Sequence, residues 1–243
     1  MEPNPTPPPD NCTHLFRSSW SLYDAILAGN YMSHREIHAC VREVLMAQAN
    51  HGRFALLDLG CGNARLLADT LRTLAPRRYL GVDLSPSALA EAAHYLHGLP
   101  HVELREQDLL ACAQDEAAAS TEVVYSGFAV HHLNTADKQR LFHAVARLLR
   151  PEGSFLLVDV VRDEGQTREA YLERYLHLMR STWTGIEPTR LEEACQHVAA
   201  FDYPEMLSAL TQMSVSAGLG EPHVLGQFGA HTVMHFRQSP AIA

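Results

Sequence analysis

Residues 56–67 read LLDLGCGNARLL, an apolar run that meets a carboxylate, Asp58, and then two glycines, Gly60 and Gly62, flanking Cys61. Glycines at this point let the backbone turn tightly and approach a ligand with no Cβ in the way, and the segment that follows offers N–H groups at Asn63 and Ala64. Two further acids close later apolar runs: Asp83, followed by Leu84, and Asp108, followed by Leu109. A carboxylate in such a place favours a cation and accepts hydrogen bonds from a diol or an exocyclic amine. His131 and His132 stand together in VVYSGFAVHHL. Imidazole is the side chain whose pKa best suits proton removal near neutral pH, so either histidine is a candidate base; the pair equally suits a loop that opens the next helix.

These residues need a scaffold, and the pattern from Phe54 onward supplies one. Short apolar runs alternate with amphipathic segments, the signature of βαβ units around a parallel sheet. Strands are expected over Phe54–Leu59, Tyr79–Val82, Val102–Leu104, Val123–Ser126 and Ser154–Val161, with helices between them. Ser85 caps a helix that has Pro86 at its first position and Gly98 and Pro100 beyond its end; Asn134 or Thr135 opens another. Upstream, one helix runs near Trp20–Ala28, and a second opens at Ser33 with capping-box spacing to Glu36. After Val161 comes a helical insertion carrying Tyr171, Tyr175, Met179 and Trp183 at helical spacing, a stripe that reads as core. A helix over Pro204–Ala217 and a closing hairpin in PHVLGQFG and HTVMHFRQ complete the chain. Residues 1–13, with five prolines in the first nine, form an extended tail, and 14–243 form a single domain in which 14–50 is a helical cover and 162–203 the insertion.

Three nucleotide classes compete for the glycine loop. A phosphate-cradling P-loop requires Gly-Lys-Ser/Thr, and the loop reads Gly-Cys-Gly-Asn-Ala-Arg. A dinucleotide fingerprint requires a small residue where Arg65 stands, and seldom sets a carboxylate as near a pyrophosphate as Asp58 is to Gly60. S-adenosylmethionine has no phosphate but carries an ammonium, a sulfonium, a carboxylate and a ribose diol. Asp58 suits its cationic amino acid portion, Asp83 the ribose hydroxyls and Asp108 the adenine amine, although Asp108 reads equally well as a helix cap.

LLDLGCGNA, YLGVDLSPSAL, EQDLL, VVYSGFAVHHL and LLRPEGSFLLVDVV together resemble successive motifs of class I S-adenosylmethionine-dependent methyltransferases over about residues 54 to 161, extending to a tail from Leu207 onward. The resemblance implies an α/β, Rossmann-like, doubly wound, seven-stranded sheet with a reversed final strand. It implies cofactor contacts at Asp58, Gly60, Gly62, Asp83 and Asp108, with Cys61, Leu84 and Leu109 beside them, and places Ser126, Gly127 and Phe128 next to the methyl group. It also implies that the N-terminal helices and the insertion cover the acceptor. Tyr125-Ser126 departs from the pattern, since many relatives have an acidic or small residue there.

Composition narrows the partner. A formal charge of −9 argues against nucleic acid, whose binding depends on neutralising phosphates with Lys and Arg. No apolar stretch approaches the roughly 20 residues of a membrane span. The N-terminus lacks the features of a signal peptide, and Cys12, Cys40, Cys61, Cys112 and Cys195 form no CxxC pair, so neither a metal site nor a disulfide framework is expected and the cytoplasm is the expected compartment. His34 and His38, four residues apart, lack a third ligand with recognisable spacing. Tyr23 and Tyr31 are expected either to contact the cofactor or acceptor from the cover or to serve as core packing or ordinary helix surface. The expected activity is methyl transfer to a small molecule with an O, N or C nucleophile. The alternatives are a protein or tRNA methyltransferase, a non-catalytic cofactor-binding partner subunit and, more distantly, a nicotinamide-dependent reductase.

Overall fold

The computed structural model describes residues 20–238; the expected tail at 1–13 and Cys12 lie outside them. The strands are β1 (Ala55–Leu59), β2 (Arg78–Asp83), β3 (Val102–Glu106), β4 (Thr121–Gly127), β5 (Leu149–Arg162), β6 (Glu205–Met206), β7 (His223–Phe228) and β8 (His231–Arg237). The helices are α1 (Trp20–Gly29), α2 (His34–Ala49), α3 (Arg65–Leu74), α4 (Pro86–Tyr95), α5 (Leu109–Asp115), α6 (Thr135–Leu148), α7 (Arg168–Thr182), α8 (Pro188–Phe201) and α9 (Leu207–Ser216). A 3-10 turn, Val130–His132, follows β4.

The sheet order is β3-β2-β1-β4-β5-β8-β7, with β6 paired to β5 off this path. β1 to β5 pair with one another in parallel, and β8 runs antiparallel to both β5 and β7, which is the expected reversed final strand. All five residues of β1 are buried, as a strand covered on both faces requires. Helices α2, α3 and α4 pack Ile37, Val41, Leu67, Leu71 and Ala92 on one face. On the other, α5, α6 and α9 place Cys112, Leu141, Phe142, Leu210 and Met213. Strand order reverses between β1 and β4, and ligands in open parallel sheets bind at the carboxyl ends flanking such a point.

The insertion is two helices, α7 and α8, over a third cluster in which Leu22 and Ile26 of α1 meet Tyr171, Tyr175, Met179 and Trp183, all buried as the helical stripe implied. Among the described residues no helix is long and apolar enough to cross a membrane.

Two local expectations are corrected. Ser33 sits in the left-handed region at φ 55° and makes no capping bond with its side chain. Asn30 takes over the role: its Oδ1 accepts from Arg35 N at 3.1 Å and its Nδ2 donates to Glu36 Oε2 at 2.8 Å. The tight turn after α1 brings Asn30, rather than Ser33, within reach. The helix expected from Pro204 begins at Leu207, because Glu205 and Met206 are drawn into pairing with Val161 and Arg162 at the end of β5.

Candidate functional site

Asp58 lies near the carboxyl end of β1, opposite Tyr125 on β4 and Gly81 on β2. Its Oδ2 accepts a 2.7 Å hydrogen bond from the Tyr79 hydroxyl, while its Oδ1 is buried without a partner. Burial raises its pKa to about 7, against the lowering effect of the Tyr79 bond and with a further push from Asp83. A buried carboxylate oxygen with nothing to accept from is costly unless a ligand supplies the donor.

The loop beyond it depends on its glycines. Gly60 has φ 75°, and a Cβ there would stand 2.5 Å from the Ala129 methyl; Gly62 has φ 52°, and a Cβ there would meet nothing within 4 Å, so open space lies above it. Gly60 N and Cys61 N both donate to the Val82 carbonyl at 2.9 Å, tying the loop to the end of β2. The Ala64 N–H, expected to be free for a ligand, instead closes a turn onto the Cys61 carbonyl at 3.0 Å. Cys61 is buried, and burial holds its thiol far above the usual range, which keeps it unreactive.

Asp83 ends β2. Its Oδ2 accepts from Gly62 N at 2.9 Å and its Oδ1 from Ser85 N at 2.8 Å. One carboxylate therefore fixes both the glycine loop and the start of α4, and each oxygen keeps a lone pair for another donor. Leu84, beside it, is exposed. Asp108 caps α5, accepting from Ala111 N at 2.9 Å, so the cap reading of this residue holds, with its second oxygen free of that bond; Leu109 is the first residue of the helix. Ser126 is fully buried and donates to the Leu59 carbonyl at 2.7 Å, clamping the ends of β1 and β4 together. Phe128, at φ 57°, sets its ring against His34 and His231 at centroid distances of 5.3 and 5.5 Å.

The structure thus gathers Asp58, the glycines, Asp83 and Ser126 around one loop, with α1 above them. Arg65, at the start of α3, pairs with Asp24 of α1 at 2.6 Å. Beside this pair a cleft of about 640 Å³ opens between α1, α2 and α3, lined by His34, His38 and Leu66 among others. Tyr31 stacks on Trp183, and its hydroxyl accepts from Gly185 N at 2.7 Å, which joins the N-terminal cover to the insertion. Tyr23 packs edge-on against His34.

His131 and His132 occupy the 3-10 turn after β4. His131 is buried with Nδ1 bonded to Asp159 Oδ1 and Nε2 3.6 Å from Asp202 Oδ1. Burial works against its protonated form, but the two carboxylates outweigh it and raise the pKa. His132 Nδ1 lies 3.2 Å from the Phe201 carbonyl and 3.6 Å from Asp202 Oδ1, and burial beside His131 and His197 lowers its pKa well below the usual range. Asp202, Asp159 and Tyr79 escape sequence reasoning. The first comes from the insertion, whose docking no local pattern encodes; Tyr79 stands two residues before Gly81 in the quoted YLGVDL, where strand-face periodicity points it towards Asp58.

Residues 56–153 match the family described as methyltransferase domain. The chain is 25% identical over 147 residues to an uncharacterised methyltransferase of Bacillus cytotoxicus, a match that spans 60% of this chain and 66% of that relative's length, just under two thirds. In fold it is similar to the 1,6-didemethyltoxoflavin-N1-methyltransferase of Burkholderia thailandensis, a structure with bound 1,6-didemethyltoxoflavin and S-adenosylhomocysteine (TM-score 0.59, 18% identity, 98% of this chain and 94% of that one). It is also similar to mitomycin 7-O-methyltransferase (TM-score 0.58, 16% identity, 94% and 60%). The architecture is that of the Rossmann-like methyltransferases.

Proposed function

We propose that the body of this chain is a class I S-adenosylmethionine-dependent methyltransferase domain and that the protein transfers the methyl group of that cofactor to a small-molecule acceptor. The observation that carries the reading is the buried, unpartnered Asp58 Oδ1 next to a glycine loop with open space above Gly62. An ammonium is the donor that this oxygen lacks, and S-adenosylmethionine brings one without the phosphates that such a carboxylate would repel.

In this reading Asp58 holds the amino acid portion, and the remaining lone pairs of Asp83 accept from the ribose hydroxyls. Asp108 and Leu109 border the adenine, Cys61 and Leu84 flank it through their loops, and Ser126 and Phe128 stand beside the methyl group. When bound, the cofactor supplies a methyl carbon already activated by its sulfonium. The chain's own task is then to align the acceptor and exclude water, which α1, α2 and the insertion do by covering the strand ends. His131 and His132 become candidate bases where the acceptor must lose a proton. The geometry favours alignment over base catalysis, because one ring nitrogen of His131 is committed to Asp159 and the other faces Asp202.

A small acceptor suits the covered site, the acidic surface and the solved relatives whose names give toxoflavin and mitomycin chemistry. A cytoplasmic location is part of the same proposal. Titration with S-adenosylhomocysteine and with NADH tests the cofactor: tight binding of the first and none of the second is expected, and the reverse pattern returns the reductase. Incubation of the protein with methyl-labelled cofactor and a cell extract tests the acceptor. Label is expected in the small-molecule fraction, whereas label in protein or RNA would overturn that part of the reading.

A further inference from the structure

The cofactor reading leaves unexplained a group of polar atoms beneath the insertion. His131 Nε2 and His132 Nδ1 each stand 3.6 Å from Asp202 Oδ1, and each of the three residues offers a ligand atom within 4.8 Å of the other two. A separation of 3.6 Å is too long for a hydrogen bond. It is close to the roughly 3.3–3.5 Å that separates nitrogen and oxygen ligands placed tetrahedrally around an ion about 2.0–2.1 Å from each. Asp202 Oδ1 is buried and accepts no hydrogen bond, the condition expected of a ligand atom awaiting its ion.

The surroundings are those of a supported ligand set. The Nδ1 of His131 is bonded to Asp159 Oδ1, and the same oxygen also accepts from Val160 N at 2.8 Å, so the imidazole is held with Nε2 directed at Asp202. A carboxylate behind a histidine, fixing its tautomer and ring orientation, is the usual outer partner of a metal-bound imidazole. His132 is the most exposed of the three side chains, at 23% against 8% for His131 and 5% for Asp202, and gives an approach from solvent. The nearby cation, Lys138, is drawn away to the Tyr203 carbonyl and Glu205.

We propose that His131, His132 and Asp202 form a binding site for a divalent transition metal of the zinc type, which fastens the end of α8 to the turn after β4. Without the ion the same groups are held by protons: one on His131 Nε2 between the carboxylates, and one on His132 Nδ1 donated to the Phe201 carbonyl. Binding releases the His131 proton to solvent, while the neutral His132 ring moves its single proton from Nδ1 to Nε2, so uptake of the ion releases one proton and strengthens with rising pH. Two imidazoles and one carboxylate leave a tetrahedral position for water.

The test uses the full chain, stripped with a chelator and titrated with cobalt(II) and then zinc(II). One equivalent of cobalt is expected to give the intense visible bands of a tetrahedral site, lost on addition of zinc, and zinc is expected to raise the melting temperature. Asp202→Asn should weaken cobalt binding at least 100-fold. Asp159→Asn, which keeps all three ligands, should weaken it 10- to 100-fold through the lost orientation of His131. Absence of a tetrahedral spectrum in the folded wild-type chain overturns the site, as does an unchanged affinity in both variants, which would place the ion on other histidines. If Asp202→Asn fails to fold, Asp159→Asn and His132→Gln carry the same comparison. None of these readouts depends on methyl transfer, so this site and the activity stand or fall separately.

Discussion

At the scale of single residues, two acids do different work although both lie beside the glycine loop. Asp58 has a pKa raised to about 7, so near neutral pH a large fraction of the ligand-free protein holds it protonated. An ammonium ligand requires the carboxylate. The affinity for S-adenosylhomocysteine is therefore expected to fall as pH drops below about 7, by up to tenfold per unit, as binding comes to require loss of one proton. In Asp58→Asn that dependence should vanish and affinity should drop by about 1.5–3 kcal/mol; calorimetric titrations between pH 5.5 and 8 would sink the assignment if the two proteins showed the same slope. Asp83 is bonded to Gly62 N and Ser85 N, so its removal loosens the loop and the start of α4 as well as the proposed ribose contact. Asp83→Ala is expected to lose about 1–3 kcal/mol of cofactor affinity and to lower the melting temperature of the ligand-free protein. A melting temperature lowered with affinity unchanged would leave Asp83 a purely structural residue.

At the scale of elements, the N-terminal cover is held to the insertion by one side chain more than by any cap. Tyr31 places its ring 5.4 Å from that of Trp183 and accepts from Gly185 N. Tyr31→Ala should cost about 2 kcal/mol, from the lost stack and the lost bond, and should expose the turn after α1 to limited proteolysis. Tyr31→Phe, which keeps the stack, should lose about half of that and resist the protease; equal cleavage of both variants would refute a stacking role. This joint also marks where sequence reading stops. The βαβ body is legible because each strand is a short apolar run and each helix has its own punctuation, as with Ser85 accepting from Ala88 N and Asn134 from Asp137 N. Asp58, Gly60, Gly62 and Asp83 are legible for the same reason, since each ends or follows a strand. Contacts between distant segments leave no periodic trace. Asn30 displaces Ser33 as the partner of Glu36 through a turn geometry that spacing does not encode, and Asp202 reaches His131 only because the chain leaving α8 returns to the turn after β4 and the end of β5.

At the scale of the whole molecule, the fifteen histidines matter through where the fold buries them. His34, His197, His231 and His235 each have a pKa lowered to about 4, chiefly by burial. In the unfolded chain they titrate near 6.5, so as pH falls from 6.5 towards 4 the unfolded state takes up protons that the folded state refuses, and stability declines. Asp58 and Asp202 act in the opposite sense, because burial raises them to about 7 and about 6 against roughly 3.9 unfolded. Over the same interval they bind protons on folding. Four groups oppose two, leaving a net uptake by the unfolded chain of about one to two protons near pH 5.5, or about 2 kcal/mol of stability lost per pH unit. At pH 6.5 the unfolded histidines are still half protonated, so their contribution is complete only about a unit higher, where Asp58 and the raised His131 give up protons in the fold and offset the remaining gain. Stability is therefore expected to rise steeply from pH 5 to about 6.5 and to level off above about pH 7 in urea melts run from pH 5 to 8. His235→Leu tests the cause: its Nε2 is buried without a partner, so an apolar replacement loses no bond there and should flatten the acid limb by about one proton, or 1.4 kcal/mol per unit. An acid limb of unaltered slope in that variant would mean that the buried histidines do not set the acid sensitivity of the fold.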